Sequence, residues 1–309
     1  MANLEDLERL DDEELIDLDD SEELEDDVVD ELTEEEETET EEEPEEIVTD
    51  PVLPKPVLPG LSTQVVSVGT KLNVDVTVAI DVTGSMQELI DALKRDVTNL
   101  RTLVYDKLNE NLSRKRPDRR LNKMRVRVVA FRDYNYDWEA AQQPKHGPML
   151  MSDFFDLDDE DDRATLQRFV DQLEATGGVD EPESALEALH YAIRSDWDRE
   201  EGVVHRHVIM LFTDASGHRL EDPRNAENPH YPTDADMPKS LLELQAEYGD
   251  EALISQRGQR LIVFAPRNSY PWNEVEGWNC TVVLDVVPNS GLAGVNSEPM
   301  IAALTGSLS

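Results

Sequence analysis

An apolar, β-branched run that stops abruptly at a carboxylate is the feature that most constrains the fold of this chain. Val76, Val78 and Ile80 belong to the run, and Asp81 ends it. An amphipathic helical pattern follows, so the run predicts a buried strand whose carboxyl end leads through a short loop into a helix. In open α/β sheets, ligands bind at this edge of the sheet.

The loop after this strand carries three oxygen-bearing side chains within five residues: Asp81, Thr83 and Ser85. They provide one carboxylate and two hydroxyls. Hard oxygen ligands of this kind suit Mg²⁺ or another divalent ion that prefers oxygen. The sequence therefore predicts a metal site just past the end of the strand.

Two other segments also carry oxygen donors at the start of a helix or the end of a strand. Residues 176–183 combine two glycines with acidic residues directly before a helical pattern that begins at Ala185. Taken alone, these acids indicate only a favourable amino-terminal end of a helix. A second apolar strand, predicted at 208–212, ends in Thr213 and Asp214.

Together these loops resemble the metal-ion-dependent adhesion site (MIDAS) of von Willebrand factor type A (vWA) domains. The stretch Asp81-x-Thr83-x-Ser85 is similar to the first metal loop of that family. The resemblance also extends to Arg132-Asp-Tyr134, which is similar to the segment after the second strand in many bacterial vWA proteins.

The resemblance implies further metal ligands in the other two loops. Asp180 stands where many vWA domains carry a coordinating Thr, and Glu183 is similar to an acid that joins the metal site in integrin β subunits. Asp180 ranks first of the two, and Thr176 is a further candidate. Asp214 corresponds to the third-loop Asp, which in the family usually acts through water. The resemblance does not decide which second-loop residue contributes.

The resemblance implies a function as well as a fold. We expect a doubly wound, mostly parallel central sheet with helices on both faces, and no enzymatic activity. The site would hold Mg²⁺ or Mn²⁺, and the ion would accept an Asp or Glu side chain from a partner protein. Intracellular vWA proteins often work as adaptors beside AAA+ ATPases or in stress and signalling modules.

Hydrophobic periodicity predicts alternating strands and helices, which favours a mostly parallel sheet covered on both faces. The predicted strands are 76–80, 124–131, 149–155, 208–212, 260–265 and 281–287, and the predicted helices are 87–110, 158–173, 185–193, 237–257 and 299–308.

Charge and proline content divide the chain into three parts. Residues 1–50 contain 28 Asp and Glu against one Arg, and so contribute −27 to a formal net charge of −42. Such a segment is predicted to be a disordered acidic tail. Residues 51–60 repeat Pro-Val-Leu-Pro and predict an extended linker. Residues 61–309 are predicted to form the vWA domain. A chain this acidic is a poor candidate for binding nucleic acid.

The remaining features bear on location. The single cysteine, Cys280, allows no intramolecular disulfide and is predicted to be a buried thiol. The sequence shows no apolar run of membrane-spanning length and no signal-peptide core. We therefore expect a cytoplasmic protein without a membrane partner.

Two alternatives to the metal-dependent adaptor follow from the same residues. The acidic tail could itself be the interaction hub, because leucines recur among its acids. A Mg²⁺-dependent phosphohydrolase is less favoured, because the haloacid-dehalogenase type needs a second Asp where this chain has Thr83. His218 follows Asp214 by four residues and could approach the site.

Overall fold

The computed structural model describes residues 70–115, 119–135, 147–178, 181–232, 235–290 and 297–308. The predicted tail (1–50), the predicted linker (51–60) and the predicted domain boundary at residue 61 lie outside these ranges. All of the described residues belong to one compact unit, Gln64–Ser309.

The strands of the described residues form one mixed sheet of seven. They are β1 (Thr70–Asp81), β2 (Arg119–Phe131), β3 (Met149–Met151), β4 (Phe155–Asp156), β5 (Val204–Phe212), β6 (Gln259–Ala265) and β7 (Thr281–Asp285). Their order is β3-β2-β1-β5-β6-β7, with β4 also paired to β2. The pairs that join β2, β1, β5, β6 and β7 are parallel, whereas β3 and β4 run antiparallel to β2.

Helices cover both faces of this sheet. They are α1 (Gln87–Asp96), α2 (Leu100–Lys115), α3 (Glu160–Asp171), α4 (Ala185–Ile193), α5 (Pro223–Glu227), α6 (Leu241–Tyr248), α7 (Trp272–Val275) and α8 (Ser297–Leu308). One apolar core packs α1, α2, α3 and α8 against the sheet, and a second packs α4, α6 and α7 against the other face. The predicted doubly wound α/β fold is confirmed.

Strand β1 is buried along almost its whole length, from Leu72 to Asp81. It has a parallel neighbour on each side, β2 and β5, as expected for a central strand covered by helices on both faces. The strand order turns back at the boundary between β1 and β5. The carboxyl ends of these two strands therefore meet where open α/β sheets bind their ligands.

Several predicted boundaries were wrong. The helix predicted at 87–110 is interrupted by a 3₁₀ turn at Val97–Asn99 and continues as α2 to Lys115. The edge strand predicted at 149–155 is two short strands, β3 and β4. Periodicity registers apolar spacing but not these local breaks in the backbone.

The helix predicted at 237–257 is shorter, because capping groups end it on both sides. The Ser240 hydroxyl accepts the Glu243 N–H at the start of α6, and Gly249 follows its last residue. Residues 250–257 form turns instead. Cys280 was predicted to be buried, but it is exposed and its φ is 53°, because it lies in the tight turn that enters β7.

A buried ion pair joins β1 to β2 near the middle of both strands. Asp75 and Arg125 are register partners, and the Arg125 Nε and Nη2 groups donate to the two Asp75 oxygens at 2.8 and 2.6 Å. Asp75 also accepts the Asp198 N–H at 2.6 Å. Removal of the carboxylate would leave a largely buried guanidinium without this partner.

We expect Asp75→Ala to lower the free energy of unfolding by about 3 kcal/mol, measured by urea denaturation. Glu276→Ala is the control, because Glu276 pairs with Arg267 at an exposed site where ion pairs contribute little. Equal destabilisation by the two substitutions would contradict this account of the buried pair.

Candidate metal centre

The first predicted loop is organised around the carboxylate of Asp81, which is fully buried at the end of β1. Its Oδ1 accepts two hydrogen bonds from Thr83, one from the backbone N–H at 2.8 Å and one from the hydroxyl at 2.6 Å. Its Oδ2 accepts the hydroxyl of Thr213 at 2.8 Å. Three donors from two loops thus hold one carboxylate.

Different parts of the environment of Asp81 shift its pKa in opposite directions. The pKa of Asp81 is raised to about 6, because burial and, to a smaller extent, the charge of Asp214 raise it by more than the hydrogen bonds from Thr83 and Thr213 lower it. Burial is the largest of these effects because it penalises the charged form. A cation beside the carboxylate would favour the charged form again.

The third predicted loop meets the first, as the sequence predicted. Asp214 follows β5 and is buried, and its Oδ1 accepts the hydroxyl of Ser85 at 3.0 Å. The Thr213 hydroxyl accepts the Ala215 N–H at 3.1 Å while it donates to Asp81. Four of the predicted ligands, Asp81, Thr83, Ser85 and Asp214, therefore lie in one small cluster.

The second predicted loop packs directly on the first. The Gly84 N–H donates to the Gly177 carbonyl at 3.2 Å, and the Thr176 N–H donates to the Val82 carbonyl at 3.0 Å. Gly178, at φ 75°, lies so close to Thr83 that an added Cβ would come within 2.7 Å of the threonine Cβ. A glycine is needed here both for its backbone conformation and for this close approach.

The three candidate ligands of the second loop differ in what the structure shows of them. Asp180 lies outside the described residues. Thr176 is half-buried, and its hydroxyl has no hydrogen-bond partner among the described residues. Glu183 is buried and is tied to the third loop through its backbone: its N–H donates to Ser216 and its carbonyl accepts from His218, both at 2.9 Å.

Sequence reasoning missed two residues that organise the site. Thr213, treated only as the end of a strand, provides a hydrogen bond to Asp81. Arg132 is fully buried, and its guanidinium donates to the carbonyls of Thr176, Gly147 and Glu174 at 3.0, 2.9 and 2.6 Å. It thereby anchors the second loop. The Arg132-Asp-Tyr134 segment was the available signal, but its spacing alone does not reveal which carbonyls the arginine contacts.

His218 does not join the cluster through its side chain. The ring is buried, with Nε2 3.1 Å from Asp133 Oδ1 and Nδ1 3.0 Å from Arg224 Nη2. It belongs to a second polar cluster beside α4.

The chemistry of the donor set fits a hard divalent cation. Thr83 and Ser85 donate their hydroxyl protons to carboxylates, which leaves the oxygen lone pairs able to face a cation. Within the described ranges, no group of three or more His, Cys, Asp or Glu is placed to hold a metal. An ion here would therefore depend on hydroxyls as well as on carboxylates.

Similarity to known proteins lies at the level of structure. No family model and no curated protein matches the sequence. The chain is similar to a von Willebrand factor type A protein from Catenulispora acidiphila, with 17% identity over 75% of this chain and 42% of that one and a TM-score of 0.40.

Two other similar structures come from adhesive or matrix proteins. Proximal thread matrix protein 1 from the mussel byssus, with a zinc-occupied MIDAS motif, shares 14% identity over 77% of this chain and 46% of its own, with a TM-score of 0.39. The pilus adhesin SpaC from Lactobacillus rhamnosus GG shares 12% identity over 76% of this chain and 30% of its own length, with a TM-score of 0.43. The chain spans less than half the length of each of these three proteins.

The solved structures to which the chain is similar thus include a von Willebrand factor type A protein and a matrix protein whose MIDAS motif is occupied by zinc. In the part of the chain that the structure describes, no helix combines the length and the apolar character needed to cross a membrane.

Without divalent ions, Asp81 should make stability depend on pH. Its folded pKa of about 6 exceeds the ordinary value of 3.8, so its contribution to stability is present below pH 4 and is lost as the pH rises through 6. We expect Asp81→Asn to gain about 2 kcal/mol relative to the unmodified protein between pH 4 and pH 8. Urea unfolding in a chelator at both pH values measures this gain, and a difference that does not change with pH would contradict it.

Proposed function

We propose that this protein is a non-enzymatic binding domain whose loops hold a divalent ion that accepts a carboxylate from a partner protein. The observation that carries the proposal is the convergence of Asp81, Thr83, Ser85 and Asp214 from two separated loops into one hydrogen-bonded cluster. Oxygen donors that meet at a topological switch point are the arrangement expected of a ligand site in this fold.

The ion would be Mg²⁺ or Mn²⁺, because every donor in the cluster is an oxygen. Asp81, Thr83, Ser85 and Asp214 would hold it from the first and third loops. Asp180, Glu183 or Thr176 would add a ligand from the second loop, which already contacts the first loop through Gly84. When bound, the ion supplies a positive charge that an incoming carboxylate can contact directly.

Other residues would fix the positions of the ligands around the ion. Arg132 and the glycines hold the second loop against the first, and Thr213 orients Asp81. Ser85 is exposed, so the site faces solvent at this point. A partner with an Asp or Glu at the tip of a loop could reach it.

The class of partner and its location are part of the same proposal. A cytoplasmic adaptor beside an AAA+ ATPase, or in a stress or signalling module, would use such a site, without nucleic acid or membrane. An activity as a Mg²⁺-dependent phosphohydrolase is disfavoured, because Thr83 already uses its hydroxyl to bind Asp81 and no carboxylate stands at that position.

One alternative keeps independent support, namely an interaction hub formed by the acidic tail. The observation that favours it is the concentration of 28 Asp and Glu in residues 1–50. Once a partner is known, deletion of residues 1–60 abolishes capture if the tail is the hub. Asp81→Asn and chelation abolish capture if the metal site is responsible.

We expect the full-length chain to have one Mn²⁺ site whose affinity is higher than that of any other site in the chain. Asp81→Asn should weaken binding at this site at least tenfold. Titration of free Mn²⁺ by electron paramagnetic resonance measures both proteins, with Mg²⁺ as competitor. The acidic tail is present in each, so its weak sites cancel in the comparison.

Asp75→Asn is the matched control for this titration. Asp75 is also a buried aspartate of β1, but it lies near the middle of the strand and not at the end that carries the site. It should leave the tight site intact. Identical Mn²⁺ isotherms for the unmodified protein and Asp81→Asn would rule out a site at Asp81.

A further inference from the structure

A second buried carboxylate lies outside the candidate metal centre. Glu187, in the first turn of α4, is fully buried. Its Oε1 accepts the hydroxyl of Tyr231 at 2.7 Å, whereas its Oε2 has no hydrogen-bond partner among the described residues. A carboxylate in such a place is expensive to keep ionised.

Charged and titratable groups from several elements face Glu187. They are Asp133 after β2, His218 after β5, and Tyr231 and Tyr270 from later loops. Tyr134 in turn contacts Tyr231, and Asp222 and Arg224 contact His218. The imidazole of His218 lies between Asp133 and Arg224. The guanidinium of Arg224 contacts His218 and Asp222.

Tyr231 belongs to a long excursion of the chain between β5 and α6. The described residues 219–232 of this excursion contact the loop after β2 mainly through polar groups. The amide of Asn228 donates to the Tyr134 carbonyl at 2.7 Å, and that of Asn135 donates to Asn225 at 2.9 Å. The rings of Tyr134 and Tyr231 meet edge to face at 5.5 Å.

We propose that Glu187 and Tyr231 form a proton-operated latch. When the Glu187 carboxyl carries its proton, residues 219–232 stay closed over α4. When the carboxyl ionises, the segment opens, because the charged carboxylate is stabilised by contact with water.

The direction of the effect follows from the burial of this group. The pKa of Glu187 is raised to about 7 in the closed form, because burial and, to a smaller extent, Asp133 raise it by more than Tyr231 and His218 lower it. The ordinary value is 4.5. The stabilisation of the closed form by the proton is therefore complete below pH 4.5 and is lost as the pH rises through 7.

The latch has a consequence for the neighbouring loops. Just before this segment, the N–H of His218 donates to the carbonyl of Glu183 at 2.9 Å. Opening would therefore loosen the backbone of one candidate metal ligand. This consequence rests on the proposed function, whereas the latch itself does not.

Hydrogen exchange on the full-length, metal-free protein tests the latch. After correction for the intrinsic exchange rate, the opening of residues 219–232 should increase about tenfold between pH 6 and pH 8, as one-proton linkage requires. In Glu187→Gln, which keeps the size and the acceptor oxygen, opening should not change with pH. Amides of β5 serve as the internal reference for global unfolding.

Tyr231→Phe is the second variant. It keeps the ring contact with Tyr134 but removes the hydroxyl, so protection should be lower at every pH while the pH dependence remains. A flat profile in the unmodified protein, or an unchanged pH dependence in Glu187→Gln, would overturn the latch.

Mn²⁺ titration at pH 6 and pH 8 separates the two proposals. If the unmodified protein has no tight Mn²⁺ site at either pH but still shows pH-dependent opening, the proposed function is refuted and the latch is supported. Tight Mn²⁺ binding without pH-dependent opening refutes the latch alone.

Discussion

The carboxylate of Asp81 is the point on which the rest of the site depends. It ends the central strand, it is fully buried, and all three of its hydrogen bonds come from threonines of the first and third loops. Parallel pairing of β1 with β5 brings those loops together, because parallel strands end at the same edge of the sheet. The second loop then packs against Thr83 through a glycine that no larger residue could replace without displacement.

This arrangement has an energetic consequence. The aspartate and the glutamate are both buried, and burial raises their pKa to about 6 and about 7, so each lowers the stability of the fold when it ionises. Functional sites are where such strained electrostatics are retained, because a ligand or a proton can relieve them. Asp81 would be relieved by a cation, and Glu187 by a proton. The start of α4 links the two sites in the chain, because Glu183 precedes the helix and Glu187 lies in its first turn.

The sequence was informative wherever a local pattern sets the structure. The strand at 76–80, its terminal aspartate and the strand ending at Asp214 could be placed by apolar periodicity, and the alternation of elements gave the doubly wound sheet. Contacts that depend on distant parts of the chain could not be predicted. Arg132 binds carbonyls more than ten residues away, and the Glu187–Tyr231 contact joins α4 to a long excursion that has no periodic pattern. The end of α6 at Gly249 and the exposure of Cys280 were missed because caps and tight turns override periodicity.

The central claim is that the first and third loops, together with the second, surround a divalent ion. Anomalous diffraction from crystals of the protein grown with Mn²⁺ tests it most directly, because the metal is located without any assumption about its ligands. The account predicts one strong peak in contact with the side chains of Asp81, Ser85 and Asp214. Ordered density for these three residues with no peak between them, at a Mn²⁺ concentration that saturates the protein in solution, would contradict it.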